Sequence, residues 1–338
     1  MLTERRRNIL YDLIQEYVST AVPVSSGKIA HNYETKISPA TVRNELVQLE
    51  MDGYVFQPHT SAGRIPSPKA YRYYIETLLE NQSLSQDEQL RIRHQFYQIN
   101  KEIDDLIHLS ATILARMLHN VAVVTSPHVT DAKVKTLHLL SLQDFMVLMT
   151  VVFQDAGFKQ QSVSLDEAHS QETLNSLSNK LTQTYQGMSA SDIRSKMEQT
   201  TETEVRLVKT LLDILDSAGK RVIEDPHYDG LAQIMTQPEF SEGERARVLM
   251  NLLEERAMLS SILAQAPTDE KLRIIIGSEN PESTLHDFSI VLSRYGIPDQ
   301  GSGVVGVVGP TRMAYDRALP VVRYLSEIMS ELMYELYR

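Results

Sequence analysis

In the first eighty positions, apolar residues recur at helical spacing and then break off, three times in succession. Ile9, Leu10, Leu13, Ile14 and Tyr17 form the first stripe, predicting an amphipathic helix that starts near Thr3. Pro23 and the pair Ser25-Ser26 close it and open a short second helix through Ile29 and Ala30. Ser38-Pro39 places a capping serine before a first-turn proline. Val42, Leu46 and Leu49 then give the buried stripe of a third helix, ended by Gly53. Residues 54–57 read as a strand, 58–63 as a turn and 64–66 as a short return strand. Ser67-Pro68 opens a further helix through Lys69, Tyr71, Arg72, Tyr73 and Tyr74. A short helix, a tight connection and a second helix with a polar face, followed at once by a hairpin, is the order of a winged helix.

Farther along, the period stretches. From about Gln89 to Leu118, Ile92, Phe96, Ile99, Ile103, Leu106, Ser110, Ile113 and Met117 alternate four and three apart, predicting one long helix. Such a seam either joins two subunits or packs on its own domain, and the unsystematic charges beside it favour the second. Val121–Val124, Val134–Leu142 and Phe145–Val152 read as strands, with Gly157 as a break beyond them. Residues 166–260 are mostly helical in pattern, irregular around Glu224-Asp225-Pro226. Arg273–Ile276, Phe288–Leu292 and Val304–Val308 return to strand, and a Leu-, Ile- and Met-rich helix ends the chain. Pro320 either kinks that helix or opens its second half. Strands, helices and strands again predict an α+β domain interrupted by a helical insert.

Composition narrows the function. A chain of 338 residues holds about two or three domains, and 42% hydrophobic residues suffice for buried cores. There is no cysteine, which excludes disulfides, thiolate metal sites and cysteine nucleophiles. The first residues lack the unbroken apolar run of a secretion signal, and no stretch nears the ~18 apolar residues of a membrane span. The expectation is a soluble, cytoplasmic protein without membrane contact. The net charge of −11 argues against a nucleic-acid partner only until it is located. Residues 1–80 hold nine Lys/Arg and nine Asp/Glu, so all the excess negative charge lies beyond them. A neutral head can bind phosphate if its cations share a face.

The side chains on the third helix suit that task. Arginine can read guanine bidentately, and Asn or Gln can read adenine. Base reading is therefore assigned to Thr41, Arg43, Asn44 and Gln48. Backbone contacts fall to Lys28, Ser38, His59, Thr60, Ser61, Arg64, Lys69 and Arg72, with Arg5-Arg6-Arg7 a minor contributor. Gly301-Ser-Gly303-Val-Val-Gly306 satisfies the dinucleotide fingerprint, but these glycines precede a strand instead of following one and opening a helix. They are assigned to a turn and close strand packing. His128, His138, His169, His227 and His286 are scattered without ligand spacing, so neither metal nor cofactor is expected.

The run PHTSAGRIPSPKAYRYYIETLL, with SPATVRNELVQLEMDGYV before it and GSGVVGVVGPTRMAYDRALP near the end, resembles the heat-inducible transcription repressor family HrcA. The resemblance implies an α+β, multidomain chain. A winged-helix DNA-binding domain would occupy residues 1–80 and a long connecting helix 81–120. A GAF-like domain would be split between 121–165 and 265–338, interrupted by a mostly helical inserted dimerising domain at 166–264. It also implies a non-enzymatic repressor of heat-shock chaperone operons. That repressor would bind an inverted-repeat operator in double-stranded DNA as a homodimer, its activity modulated by chaperonin. The alternative is a metabolite-sensing winged-helix regulator that uses the GAF-like domain as its sensor.

Overall fold

The structure of the protein is a computed structural model that describes residues 2–32, 37–78, 83–99, 102–127, 132–154, 157–196, 201–219, 226–240, 243–263, 265–267, 272–297 and 301–336. The head comprises α1 (Glu4–Thr20), α2 (Ser26–Asn32), α3 (Pro39–Met51), β1 (Val55–Phe56), β2 (Ile65–Pro66) and α4 (Pro68–Leu78). It is followed by α5 (Gln86–Tyr97), α6 (Ile103–Leu118) and β3 (Val121–Val124). Then come β4 (Val134–Gln143), β5 (Met146–Phe153), β6 (Phe158–Ser164), α7 (Gln171–Tyr185), α8 (Ala190–Lys196) and α9 (Glu202–Gly219). The chain continues through β7 (His227–Asp229), α10 (Leu231–Ile234), α11 (Gly243–Glu254) and α12 (Arg256–Leu263). It closes with β8 (Arg273–Ile276), β9 (Phe288–Ile297), β10 (Gly301–Pro310) and α13 (Tyr315–Leu336). This is a mixed α+β protein of two units.

The first unit takes Met1–Val124, His227–Arg294 and Val304–Met329. Its sheet runs β7-β3-β10-β9-β8, with β3 antiparallel to both β7 and β10 and β8 antiparallel to β9. All four residues of β3 are buried, as a near-continuous apolar run requires of a strand covered on both faces. α6 packs on β3 and β7 through its apolar stripe. α13 lies against β9, where the buried Ser293 and Ser326 hydroxyls meet at 3.0 Å. Pro320 sits inside continuous α13, so it does not divide the helix.

The single helix expected from Gln89 to Leu118 is two helices. α5 ends at its cap Gln98, and α6 starts afresh at Ile103 with Asp104 and Asp105 in its first turn. Carboxylates there favour a new helix N-terminus, because they face the positive end of the helix dipole. The alternation of apolar residues survives the break because each helix buries its own stripe, Ile92 and Phe96 on α5, Leu106 and Ile113 on α6. The fingerprint glycines were expected to precede a strand; Gly301, Gly303 and Gly306 lie within β10 itself. At Gly306 a Cβ would stand 2.4 Å from the Val291 carbonyl oxygen, so neighbouring backbone, and not a ligand, explains that glycine.

The second unit takes Thr125–Pro226, Tyr295–Gly303 and Ser330–Arg338. Its sheet is an antiparallel meander, β4-β5-β6. Leu137, Leu139, Val147, Met149, Val151 and Val163 point to one face, where α7 and α9 cover them with Leu174, Leu181, Leu207 and Leu211. Two differences from expectation follow. The strands of residues 134–164 were grouped with the split domain, but their buried face packs beneath α7 and α9. Conversely, residues 227–263, expected within the insert, pack with the five-stranded sheet. On the outer face of the meander, Leu140, Leu142, Met146 and Phe158 are exposed, with Phe145 in the turn between β4 and β5.

Candidate nucleic-acid interface

The head is built around α1, α3 and the β1–β2 hairpin. Ile9, Leu10, Leu13 and Ile14 of α1 are fully buried together with Val42 and Leu49 of α3. Ser38 caps α3, its hydroxyl accepting from the Thr41 amide (3.1 Å) and lying 2.9 Å from the Thr41 hydroxyl. With its apolar stripe turned inward, α3 presents Arg43, Asn44 and Gln48 to solvent, and Thr41 stands half-buried beside them. Among the described residues, neither Arg43 nor Asn44 has a side-chain partner in the protein. Gln48 reaches only the Met51 sulfur, at 3.7 Å.

The hairpin is tied to the segment between α1 and α2 and braced within its own loop. Val24 and Arg64 exchange backbone hydrogen bonds of 2.9 and 2.8 Å, adding a third short bridge beside β2. Gly63 lets the chains approach so closely, since a Cβ there would stand 2.4 Å from the Val24 carbonyl. The Gln57 amide reaches across the loop to the Thr60 and Ala62 carbonyls (3.0 and 2.8 Å), leaving His59, Thr60 and Ser61 exposed at the tip. A cavity of about 410 Å³ opens between helix and hairpin, lined among others by Ser25, Ser26, Arg43, Gln57, Ser61 and Arg64. Ser25 and Ser26 were read from the sequence only as a helix boundary, and Gln57 only as a strand residue. Nothing local places these three beside Arg43 and Arg64; the Val24–Arg64 bridge does so by bringing the loops together.

Most of the other predicted cations have partners within the protein, while Arg7 is exposed. Arg64 pairs with Glu50 of α3 at 2.9 Å, its side chain only 16% exposed. Lys69 donates to the Asp52 carbonyl (2.7 Å) and lies 4.6 Å over the Tyr54 ring. Arg72 is turned away from the face of α3. It binds the Glu279 carboxylate and donates to the Ile274 carbonyl at 2.9 Å. Lys28 is exposed, 3.6 Å from Glu16. Arg6 is committed to Glu45 (2.8 Å), and Arg5 lies 3.7 Å from the same carboxylate.

Among the described residues no group of three His, Asp or Glu is placed to hold a metal ion. His108 and His227 meet with ring centroids 3.8 Å apart. Two imidazoles on one ion, at ~2.0–2.1 Å per nitrogen, would hold their rings well farther apart. Burial, then His108, lowers the pKa of His227. No helix among the described residues is long and apolar enough to cross a membrane.

Comparison with known proteins places the chain. The HrcA protein C terminal domain family matches residues 104–319. The heat-inducible transcription repressor HrcA of Dehalococcoides mccartyi (strain CBDB1) is 39% identical over 337 residues, covering 100% of this chain and 97% of the relative. That of Roseiflexus castenholzii is 40% identical, covering 99% and 96%. The fold is shared with a crystal structure of a hypothetical protein, 24% identical with a TM-score of 0.59, which covers 99% of this chain and 98% of that one. Identity of this extent along the whole sequence assigns the chain to the HrcA family of heat-inducible transcription repressors, a family of regulators and not of enzymes.

Proposed function

We propose that the chain is a sequence-specific repressor that binds an inverted-repeat operator in duplex DNA as a homodimer. The observation that carries this reading is the outward face of α3, with Arg43, Asn44 and Gln48 exposed beside the hairpin loop. Read as a winged helix, the head lays α3 in the major groove. Thr41, Arg43, Asn44 and Gln48 then meet base edges. Lys28, Ser38, His59, Thr60, Ser61 and Lys69 meet phosphate and sugar. Arg64, bound to Glu50, acts by holding the hairpin to α3, and Arg72, bound to Glu279 and the Ile274 carbonyl, by tying α4 to β8, instead of by touching DNA.

The five-stranded sheet and the helices packed on it are read as the GAF-like domain and the meander unit as the dimerising insert. The exposed Leu140, Leu142, Met146 and Phe158 support that second assignment, since a second copy would cover an otherwise open apolar sheet face. The heat response of the named relatives extends to this chain as chaperone-operon control in the cytoplasm, with chaperonin maintaining the active dimer. Marginal stability suits such a sensor, because one or two kcal/mol moves a two-state population several-fold. A ligand-gated reading draws on a second cavity, about 380 Å³, between Glu239, Arg245, Ser283 and Asp287. There Arg245 and Asp287 already pair at 3.0 Å.

The test is a mobility shift at fixed salt with an inverted-repeat duplex and a scrambled one of the same length. Preference for the repeat supports the reading, and equal retention removes it. Mild heating with and without chaperonin examines the regulatory part, where equal operator binding afterwards would remove the chaperonin from the scheme. Thermal shifts on adding small metabolites would favour the ligand-gated alternative.

A further inference from the structure

The segment at residues 309–317, GPTRMAYDR, joins β10 to α13 and carries more intramolecular bonds than a turn needs. Thr311 anchors it, its amide and hydroxyl both donating to the Asp287 carbonyl (3.2 and 2.9 Å). From there Arg312 grips both oxygens of Glu239 and lies 3.4 Å from the Gln237 side-chain oxygen. Its other terminal nitrogen donates to the Val18 carbonyl at 2.8 Å. That carbonyl lies in the last turn of α1, which has no basic residue of its own there. The amide of Val22, four residues on, turns instead to the Thr20 hydroxyl. The Val18 oxygen is thus one of the helix-end acceptors without an intrahelical donor, and Arg312 supplies both the donor and a charge suited to the dipole.

Two more side chains of the segment reach the N-terminal helices. The Tyr315 ring packs on Tyr71 of α4 with centroids 5.6 Å apart. Its hydroxyl donates to the Thr311 carbonyl (2.9 Å) and lies 2.7 Å from the Ser289 hydroxyl. Arg317 bonds Glu88 of α5 at 2.7 Å. One short segment therefore touches α1, α4 and α5.

We propose that this segment is the clamp that sets the orientation of the DNA-reading head, with Arg312 as its positioning residue. The consequence for DNA rests on the dimeric-repressor reading above. Heads on half-sites roughly 34–36 Å apart must keep a fixed angle for both α3 helices to seat at once. A head that rocks still binds one half-site but loses the gain from the second.

The absence of cysteine makes a DNA-independent test simple. Spin labels at Asn8→Cys on α1 and Glu282→Cys on the sheet module, both exposed positions, are measured in labelled chain diluted with unlabelled chain. The parent gives a narrow distance distribution; Arg312→Ala broadens it, and Arg312→Lys, which keeps the charge without the fork, restores it in part. In parallel, Arg312→Ala leaves affinity for an isolated half-site within about twofold. It weakens binding to the full inverted repeat about tenfold and flattens the preference for half-site spacing. A distribution as narrow as the parent's in Arg312→Ala overturns the proposal. If that variant does not fold, a parent-like distribution in both Arg312→Lys and Glu239→Gln overturns it equally. If the parent itself shows no preference for the repeat, the repressor reading falls while the label distances still judge the clamp.

Discussion

The arginines in and around the head are of two kinds, one open to solvent and one bound within the protein. On the outer face of α3, Arg43 points to solvent with no acidic partner among the described residues. Where the head meets the rest of its unit, Arg72 of α4 and Arg312 of the segment between β10 and α13 are bound to Glu279 and Glu239, and each also donates to a backbone carbonyl. A guanidinium whose donors are already used has little left for phosphate, while an unpaired one keeps its fork for guanine. Under the proposed function, the availability of its donors, more than the residue type, separates the two kinds of arginine.

The sharpest way to break this contrast is Arg43→Ala. Operator affinity should fall by about 1–3 kcal/mol with relaxed base preference, and thermal stability should be nearly unchanged. Competition binding against operator variants, beside a melting curve, checks both halves. Loss of affinity without loss of preference would move Arg43 from the base edges to the backbone.

Arg64→Ala sharpens the boundary, because this arginine lies between the two surfaces. Removing its bond to Glu50 frees the hairpin, so binding to every sequence should weaken by about 1 kcal/mol. The slope of log affinity against log salt should stay as it was. A slope shallower by about one unit would mean that Arg64 neutralises a phosphate after all. Arg72→Ala should leave DNA affinity within about twofold and instead lower the melting temperature by roughly 2–4 °C, for the loss of a partly exposed pair worth about 1 kcal/mol. A loss of DNA affinity without a change in melting would return Arg72 to the interface.

The outward surface was largely legible in the sequence, and the inward one was not. Thr3, Ser38-Pro39 and Gly53 mark helix ends through local chemistry, and the stripe of Val42, Leu46 and Leu49 fixes which face of α3 looks out. Gly53 adopts the positive φ expected of it. The partners of Arg72 and Arg312 lie 207 and 73 residues away, and no periodicity signals a pairing over such distances. Without it, Arg72 reads as one more cation in a basic, tyrosine-rich helix. The same limit explains the missed strand β6. Its sequence, FKQQSVS, buries only Val163, so it lacks apolar alternation and owes its place to pairing with β5. Apolar spacing likewise ran unbroken across the gap between α5 and α6, because spacing records which residues are buried and not whether one helix buries them.

The smallest effect expected is on pH dependence, and it is confined to the inward surface. Glu88 opens α5 in a capping box with Ser85 and binds Arg317. The hydrogen bond from Arg317, followed by those from Ser85, holds its carboxyl at about 2, below the ordinary 4.5. Between these values the unfolded chain binds the proton more readily than the folded one. The contribution of Glu88 to stability is therefore complete above pH 4.5 and drains away as the pH falls towards 2. Glu88→Gln should melt slightly below the parent at neutral pH, and the gap should close on acidification. Arg43→Ala, which touches none of these groups, should follow the parent at every pH. A constant gap for Glu88→Gln would mean that the carboxylate contributes through packing alone. A pH-dependent gap for Arg43→Ala would mean that α3 and the inward surface are electrostatically coupled, and the separation between the two surfaces would fail.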